Sequence, residues 1–130
     1  MAHSDRILKA LESAIKQLDN SISALKDKDE NKFSNSVWHT AAELEYALFL
    51  LSLTIGNEYN ISVKLNPEPK SLSTDQIMLK VRELISEAHK SVRNGDFMNA
   101  CRITRLARRY IFEVQNSLTG KKHGTRKGRE

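Results

Sequence analysis

The chain has 130 residues, of which 39% are hydrophobic and 28% are charged, and this composition is ordinary for a single globular domain. Two prolines and five glycines are too few for a loop-rich all-β fold, and disordered chains lack the regular apolar spacing described below. Cys101 is the single cysteine, which excludes an internal disulfide and a cysteine-based zinc site.

The first residues of the chain mix acidic, basic and apolar side chains, so we expect no secretory signal peptide. The most apolar stretch, residues 44–55, contains Glu45 and is 12 residues long. A membrane-spanning helix needs about 20 apolar residues, so we expect this stretch to be a buried helix. These features predict a soluble protein of the cytoplasm.

The formal net charge of +5 is distributed unevenly along the chain. Residues 102–130 contain nine Lys and Arg and two acidic residues, whereas residues 1–101 contain twelve and fourteen. The basic character therefore lies in the last predicted helix and the segment after it. A cluster of this kind favours binding to a polyanion.

Apolar residues at every third or fourth position predict a first helix from about residue 5 to 26, with Ser4 as its N-cap. A polar turn at residues 27–31 separates it from a second helix, predicted from about residue 32 to 55, with Gly56 as its stop. The predicted core positions are Leu8, Leu11, Ile15, Leu18, Ile22 and Leu25 in the first helix, and Phe33, Val37, Ala41, Leu44, Leu48, Leu51 and Ile55 in the second.

The second helix also carries a second apolar row, on a different side from its predicted core face. A helix with two apolar faces is buried on both, either by neighbours in its own bundle or by a partner chain. We expect a lone four-helix bundle to leave this row uncovered, and we predict a symmetric homodimer that forms through it. A ligand pocket is the alternative for its aromatic members. The row consists of Trp38, Ala42, Tyr46, Phe49 and Leu53.

Residues 57–73 are predicted to form an irregular linker. Pro67 and Pro69 exclude an α-helix there, and the alternation of Ile61, Val63 and Leu65 predicts an extended stretch over the core. A connection of this length is unusual inside one domain. We interpret it as the link between two helical hairpins, because neither half could bury much core alone.

The third helix has the clearest start signal in the chain. Ser73 and Gln76 have the spacing of a capping box, and the helix is predicted to end at Asn94-Gly95. Asp96 is suited to cap a fourth helix, predicted to run to about residue 119 and to stop at Gly120. The predicted core positions are Met78, Val81, Leu84, Ile85, Ala88 and Val92, then Ala100, Ile103, Ala107, Tyr110, Ile111, Val114 and Leu118.

The two halves of the chain have related sequences. At an offset of 64 positions, four residue pairs are identical: Phe33 and Phe97, Asn35 and Asn99, Thr40 and Thr104, Tyr46 and Tyr110. Upstream of the aromatic pair Phe33 and Phe97, the two halves align instead at an offset of 67, which we ascribe to a shorter second turn. True duplication and the shared constraints of helical hairpins account equally well for the identities.

These patterns predict an all-α four-helix bundle built from two antiparallel hairpins. It is expected to be one domain over residues 1–120. The predicted parts are hairpin one at about 5–56, the linker at 57–73, hairpin two at about 74–120 and a basic flexible tail at 121–130.

The outer face of the fourth helix is the strongest functional candidate. Guanidinium groups suit phosphate oxygens, and an aromatic ring among them can stack on an unpaired base. The spacing therefore predicts binding to RNA or another polyanion; a merely solvated polar face, partly neutralised by Glu113, is the alternative. The residues are Arg105, Arg108, Arg109 and Phe112, bordered by Arg102 and continued by Lys121, Lys122, Arg126, Lys127 and Arg129 in the tail.

No spacing in the chain predicts a metal or catalytic site. His39 and Glu43 lie four residues apart, but a metal site needs three or four ligands and this face offers no more. Cys101 lies near the arginines, where a lowered thiol pKa is one reading and a structural role is the one we favour. We predict no metal and no cofactor.

Two segments repeat a polar turn, an aromatic residue and a helix, the first of them rich in Ala and Leu and carrying a tryptophan. They read KDENKFSNSVWHTAAELEYALFLL and, less closely, RNGDFMNACRITRLARRYIF. This pattern, over residues 18–55 and 84–118, resembles the small helical proteins of HEPN type, and tetratricopeptide-like hairpins share it. The resemblance implies a bundle of four or five helices, often dimeric, associated with RNA or with toxin–antitoxin pairs.

HEPN ribonucleases carry an arginine and a histidine a few residues apart on their last main helix. Here the comparable pair is Arg82 and His89, which lies on the third predicted helix with six residues between. The residue after the arginine is Glu83, and the fourth predicted helix has arginines but no histidine. These departures argue against nuclease activity.

The leading hypothesis from the sequence is a non-enzymatic accessory protein that binds RNA through the arginine-rich helix face and the basic tail. The alternative is a homodimeric interaction module that docks a partner through the second apolar row of the second helix. A HEPN-like ribonuclease is the second alternative.

Overall fold

The computed structural model describes residues 2–56, 65 and 67–127, with side chains described for 4–56, 65 and 67–119. A single turn of 3-10 helix at Pro69–Ser71 precedes the third helix, and the described ranges contain no strand. The predicted all-α fold is confirmed. Its helices are α1 (Ala2–Lys26), α2 (Glu30–Ile55), α3 (Thr74–Arg93) and α4 (Phe97–Lys127).

Each helix packs mainly against two others: α1 against α2 and α3, and α4 against α3 and α2. Two side-chain contacts show the direction of α1 relative to α3. Asp19 contacts Arg82 at 2.7 Å, and Glu12, earlier in α1, contacts His89, later in α3, at 2.9 Å. Helices α1 and α3 are therefore antiparallel. Because both hairpins are antiparallel as well, α2 and α4 also run in opposite directions.

This topology explains the long linker. The end of α2 and the start of α3 lie at opposite ends of the bundle, because α2 and α3 point the same way. Helix α3 has 20 residues, which corresponds to a length of about 30 Å. The linker at 57–73 is long enough to return over that distance, since an extended chain spans about 3.3 Å per residue.

Four apolar residues of α1 that lie outside the predicted stripe are buried: Ile7, Ala10, Ala14 and Ala24. Leu11 and Leu18 are fully buried as predicted, whereas the remaining predicted positions are only partly buried and flank the core. The alanines explain the shift, because their small side chains allow the neighbouring helices to approach most closely along their line. The predicted but partly buried positions are Leu8, Ile15, Ile22 and Leu25.

The turns inside the two hairpins are equally long, so the predicted shorter second turn is wrong. They comprise residues 27–29 and 94–96. Helix α2 begins at Glu30 because the Asp29 side chain accepts a hydrogen bond from the backbone N–H of Lys32, and this adds a helical turn before the aromatic position. The offset between the halves arises from that extra turn.

Both turns place their middle residue in the left-handed region of backbone conformation. Gly95 has φ +79° in the second turn, and Lys28 has φ 59° at the equivalent position of the first. A lysine is strained there, whereas glycine has no Cβ to clash. The Asp96 side chain then accepts from the N–H of Asn99, as predicted for the cap of α4.

The predicted ends of three elements differ from the structure. Helix α1 begins at Ala2, so Ser4 lies inside the helix and is not its N-cap. Helix α4 continues through Gly120 to Lys127, because an internal glycine costs only about 1 kcal/mol and the surrounding lysines favour the negative end of a helix. Pro69 begins a 3-10 turn, where its missing N–H is not needed. The predicted extended positions Ile61 and Val63 lie outside the described residues.

The start of α3 is as predicted. The Ser73 hydroxyl accepts from the N–H of Gln76 at 3.2 Å, and the Gln76 side chain accepts from the N–H of Ser73 at 2.8 Å. Each partner thus satisfies a backbone donor that the first turn of a helix leaves open. The predicted capping box is confirmed.

Tyr110 attaches the linker to the bundle. Its side chain is buried, and its hydroxyl donates a 2.6 Å hydrogen bond to the backbone carbonyl of Pro67. Burial raises the pKa of this tyrosine, because the phenolate would lose hydration. The equivalent tyrosine of the first half, Tyr46, is exposed, so the identity between the halves does not extend to its environment.

Replacing Tyr110 by phenylalanine should lower the free energy of unfolding by about 1 kcal/mol, because the ring is kept but its hydrogen bond to the linker is removed. Urea unfolding followed by circular dichroism measures this change. Tyr46→Phe is the matched control and should unfold like the wild type, since its hydroxyl is on an exposed residue. Equal midpoints for the wild type and Tyr110→Phe would show that this hydrogen bond does not stabilise the fold.

Candidate nucleic-acid interface

The arginines of α4 differ in how they are held. Arg102, Arg108 and Arg109 are exposed, whereas Arg105 is half-buried. The Arg102 guanidinium donates to the Asn99 side chain at 2.6 Å, which orients it without cancelling its charge. The arginines of the predicted face are therefore not equivalent.

Phe112 is the aromatic member of this face. It is 51% exposed, although phenylalanine usually lies in the core. Its ring follows Arg108 and Arg109 by one helical turn, so an apolar face lies beside guanidinium groups. This combination is suited to a base and its adjoining phosphate.

Glu45 of α2 forms an ion pair with Arg108. Both side chains are about half exposed, so the pair contributes little to stability, but it cancels much of one positive charge on the face. The sequence did not indicate this partner, because the two residues are separated by 63 positions and meet only when α2 packs against α4.

A shallow groove runs between α2 and α4. Helix α2 contributes Leu48, Phe49 and Ser52 beside Glu45, and α4 contributes Cys101, Arg105 and Arg108. Phe49 belongs to the second apolar row of α2, so this row borders the arginine face across the groove. The two surfaces that the sequence predicted separately are contiguous.

Cys101 forms part of the groove but is almost completely buried. Burial raises the pKa of its thiol, and the nearby Arg105, which lowers the pKa, does not outweigh burial. The alternative that the arginines lower the pKa of this thiol is therefore wrong, because its pKa is raised. The side chain behaves as a small apolar residue of the core.

The second apolar row of α2 is exposed in the monomer, as predicted. Its four large side chains are between 45% and 57% exposed, and Ala42 between them is exposed as well. The described helices leave them uncovered because α1 and α4, the two helices that pack on α2, lie on its other sides. The large residues are Trp38, Tyr46, Phe49 and Leu53.

Arg82 and His89, the pair that the HEPN resemblance singled out, share the side of α3 that faces α1. Arg82 makes a two-pronged hydrogen bond to Asp19, with distances of 2.7 and 3.3 Å, and this bond raises the pKa of the arginine above its usual value. His89 contacts Glu12 at 2.9 Å. In the structure both side chains join the two hairpins.

His39 and Glu43 do not form a metal site together. His39 is exposed, and Glu43 accepts a hydrogen bond from the Ser13 hydroxyl of α1 at 2.9 Å. Among the residues that the structure describes, no three His, Cys, Asp or Glu side chains are close enough to hold a metal ion. Within the same residues, no helix has the length and apolar content needed to cross a membrane.

For the basic residues 121–127 at the end of α4, the structure describes only the backbone. Residues 121–127 continue the helix, so Lys121, Lys122, Arg126 and Lys127 follow the arginine face on one continuous helix. Their side chains lie outside the described part of the chain, as does Arg129.

Comparison of the chain with models of protein families, with curated proteins and with solved structures finds no match.

Cys101 should react with a thiol reagent much more slowly in the folded protein than in urea, because its thiol is buried and its raised pKa reduces the thiolate fraction. The labelling rate of the folded protein should still rise at pH values where the unfolded chain has reached its plateau. Stopped-flow labelling across this pH range measures both rates. Fast labelling of the folded protein with a plateau at lower pH would contradict the buried assignment.

Proposed function

We propose that this protein is a non-enzymatic accessory protein that binds single-stranded RNA through the outer face of α4 and the basic segment that follows it. Contact would be made by the exposed arginines and by Phe112, with Lys121, Lys122, Arg126, Lys127 and Arg129 extending the surface. A cytoplasmic setting is part of the proposal.

The exposed ring of Phe112 beside Arg108 and Arg109 is the observation that carries the proposal. A half-exposed phenylalanine costs free energy in water, whereas stacking on an unpaired base contributes about 1–3 kcal/mol. Single strands offer such bases and duplexes do not, which favours the single-stranded form.

The charge distribution supports the same face. Nine of the 21 Lys and Arg lie in residues 102–130, with two acidic residues among them. Glu45 reduces the positive charge of this face, because it forms an ion pair with Arg108. The proposal therefore assigns phosphate contact mainly to Arg102 and Arg109, whose side chains are exposed and make no ion pair with a described residue.

Replacing Arg102 and Arg109 together by alanine should weaken binding to a single-stranded RNA and reduce the salt dependence of binding. The slope of log K against log salt should fall by about 0.7 for each phosphate that the variant no longer neutralises. Fluorescence anisotropy over a range of salt concentrations measures both quantities. Deletion of residues 121–130 should change them in the same direction.

Lys16→Ala with Lys90→Ala is the matched control for the arginine pair. It removes the same charge from exposed positions on α1 and α3, away from the α4 face. The control should leave the salt slope unchanged. A control that weakens binding as much as the arginine variant would mean that net charge alone, and not this face, determines affinity.

Phe112→Ala should weaken binding to single-stranded RNA by about 1–3 kcal/mol and have little effect on duplex RNA, because only unpaired bases can stack on the ring. Parallel titrations with a single strand and with its duplex separate the two effects. An equal loss of affinity for both would exclude stacking, and unchanged binding by all the variants would leave the α4 face as a solvated surface.

A further inference from the structure

The exposed row of α2 has the spacing of a coiled-coil seam. Ala42, Tyr46, Phe49 and Leu53 follow one another at intervals of four, three and four residues. This alternation keeps a stripe of side chains on one face of a helix and is the repeat by which two helices pack along each other. All four residues are exposed, so the seam is complete in sequence but has no partner among the described residues.

We propose that a second copy of this chain covers the seam, with the two α2 helices packed antiparallel around a two-fold axis. The proposal concerns α2 and does not depend on binding of RNA by α4.

The residue sizes favour the antiparallel arrangement. In this arrangement Ala42 of one copy lies opposite Leu53 of the other, and Tyr46 lies opposite Phe49, so a small side chain meets a large one at both ends of the interface. A parallel pair would place Ala42 against its own copy at one end and Leu53 against its own copy at the other, so the two ends would be filled unequally.

The exposed area reaches what a specific dimer needs. A large side chain such as an aromatic one has about 150–250 Å² of surface, so the three half-exposed large residues of the seam contribute about 300 Å² per copy. Two copies would bury about 600 Å² of apolar surface, and since interfaces are about 60% apolar, the total would be about 1,000 Å². This total lies at the lower end of the range for specific protein interfaces.

The charges beside the seam do not oppose the pairing. Glu45 flanks the seam on the side of α4, and its charge is matched by Arg108 within its own copy. Between Ala42 and Leu53 the seam itself carries no charged residue. A like-charge contact across the axis is therefore avoided.

The symmetry has a consequence for the basic face. In the proposed dimer the two α2 helices lie side by side in one plane, and the two-fold axis that exchanges them is perpendicular to this plane. Rotation about that axis does not carry any element across the plane. An element above or below the plane therefore lies on the same side in both copies. Helix α4 flanks the seam on one side and α1 on the other. The dimer therefore places both α4 arginine faces on one side of the assembly.

The first test is the mass of the protein in solution without nucleic acid. Analytical ultracentrifugation at micromolar concentration should give a dimer for the wild type and a monomer for Phe49→Glu with Leu53→Glu. Leu79→Glu is the matched control, because Leu79 of α3 is 57% exposed, close to the 54% of Leu53, but lies outside the seam. The control should remain dimeric, and circular dichroism checks that each variant is folded. A monomeric wild type, or a dimeric seam variant, overturns the proposal.

The second test determines the direction of the helices without disturbing the seam by charge. In a Cys101→Ala background, Ala42→Cys with Leu53→Cys should form covalent dimers on oxidation. Each single cysteine should not, because two copies of one position are separated by about 16 Å along an antiparallel pair, beyond the reach of a disulfide. Covalent dimers from either single variant would show a parallel arrangement and overturn the antiparallel one.

Discussion

The antiparallel contact of α1 with α3 sets the arrangement of the whole bundle. Contacts from Asp19 to Arg82 and from Glu12 to His89 show this direction, and both hairpins then place α2 antiparallel to α4. Since α2 and α3 point the same way, the end of α2 and the start of α3 lie at opposite ends of the bundle. The hydrogen bond from Tyr110 to the Pro67 carbonyl holds the chain shortly before α3 against α4.

The same arrangement determines which surfaces become neighbours. With α2 beside α4, the exposed aromatic row of one helix borders the arginines of the other, and Phe49, Arg105 and Arg108 line one groove. Each helix of a four-helix bundle has one face toward the core, so a helix with two apolar faces necessarily leaves one of them in water. The excess apolar surface of α2 is thus a consequence of the fold.

The electrostatic contacts around the α4 arginines are local adjustments within the packed helices. Glu45 reduces the charge of Arg108, and Asn99 orients Arg102 while leaving its charge intact. Burial of Cys101 outweighs the influence of the adjacent Arg105 on its thiol. A run of arginines at helical spacing is therefore a set of side chains with different environments, and its members differ in their ability to contact phosphate.

The sequence by itself determined the helices, the capping box of Ser73 and the exposed row of α2, because each depends on residues within a few turns of one another. It misjudged where α1, α2 and α4 begin or end, since polar residues at helix ends are compatible with turn and helix alike. Only the tertiary structure decided that Glu45 meets Arg108 and that the row borders the basic face. Those contacts join residues some sixty positions apart, and their geometry follows from how whole helices pack.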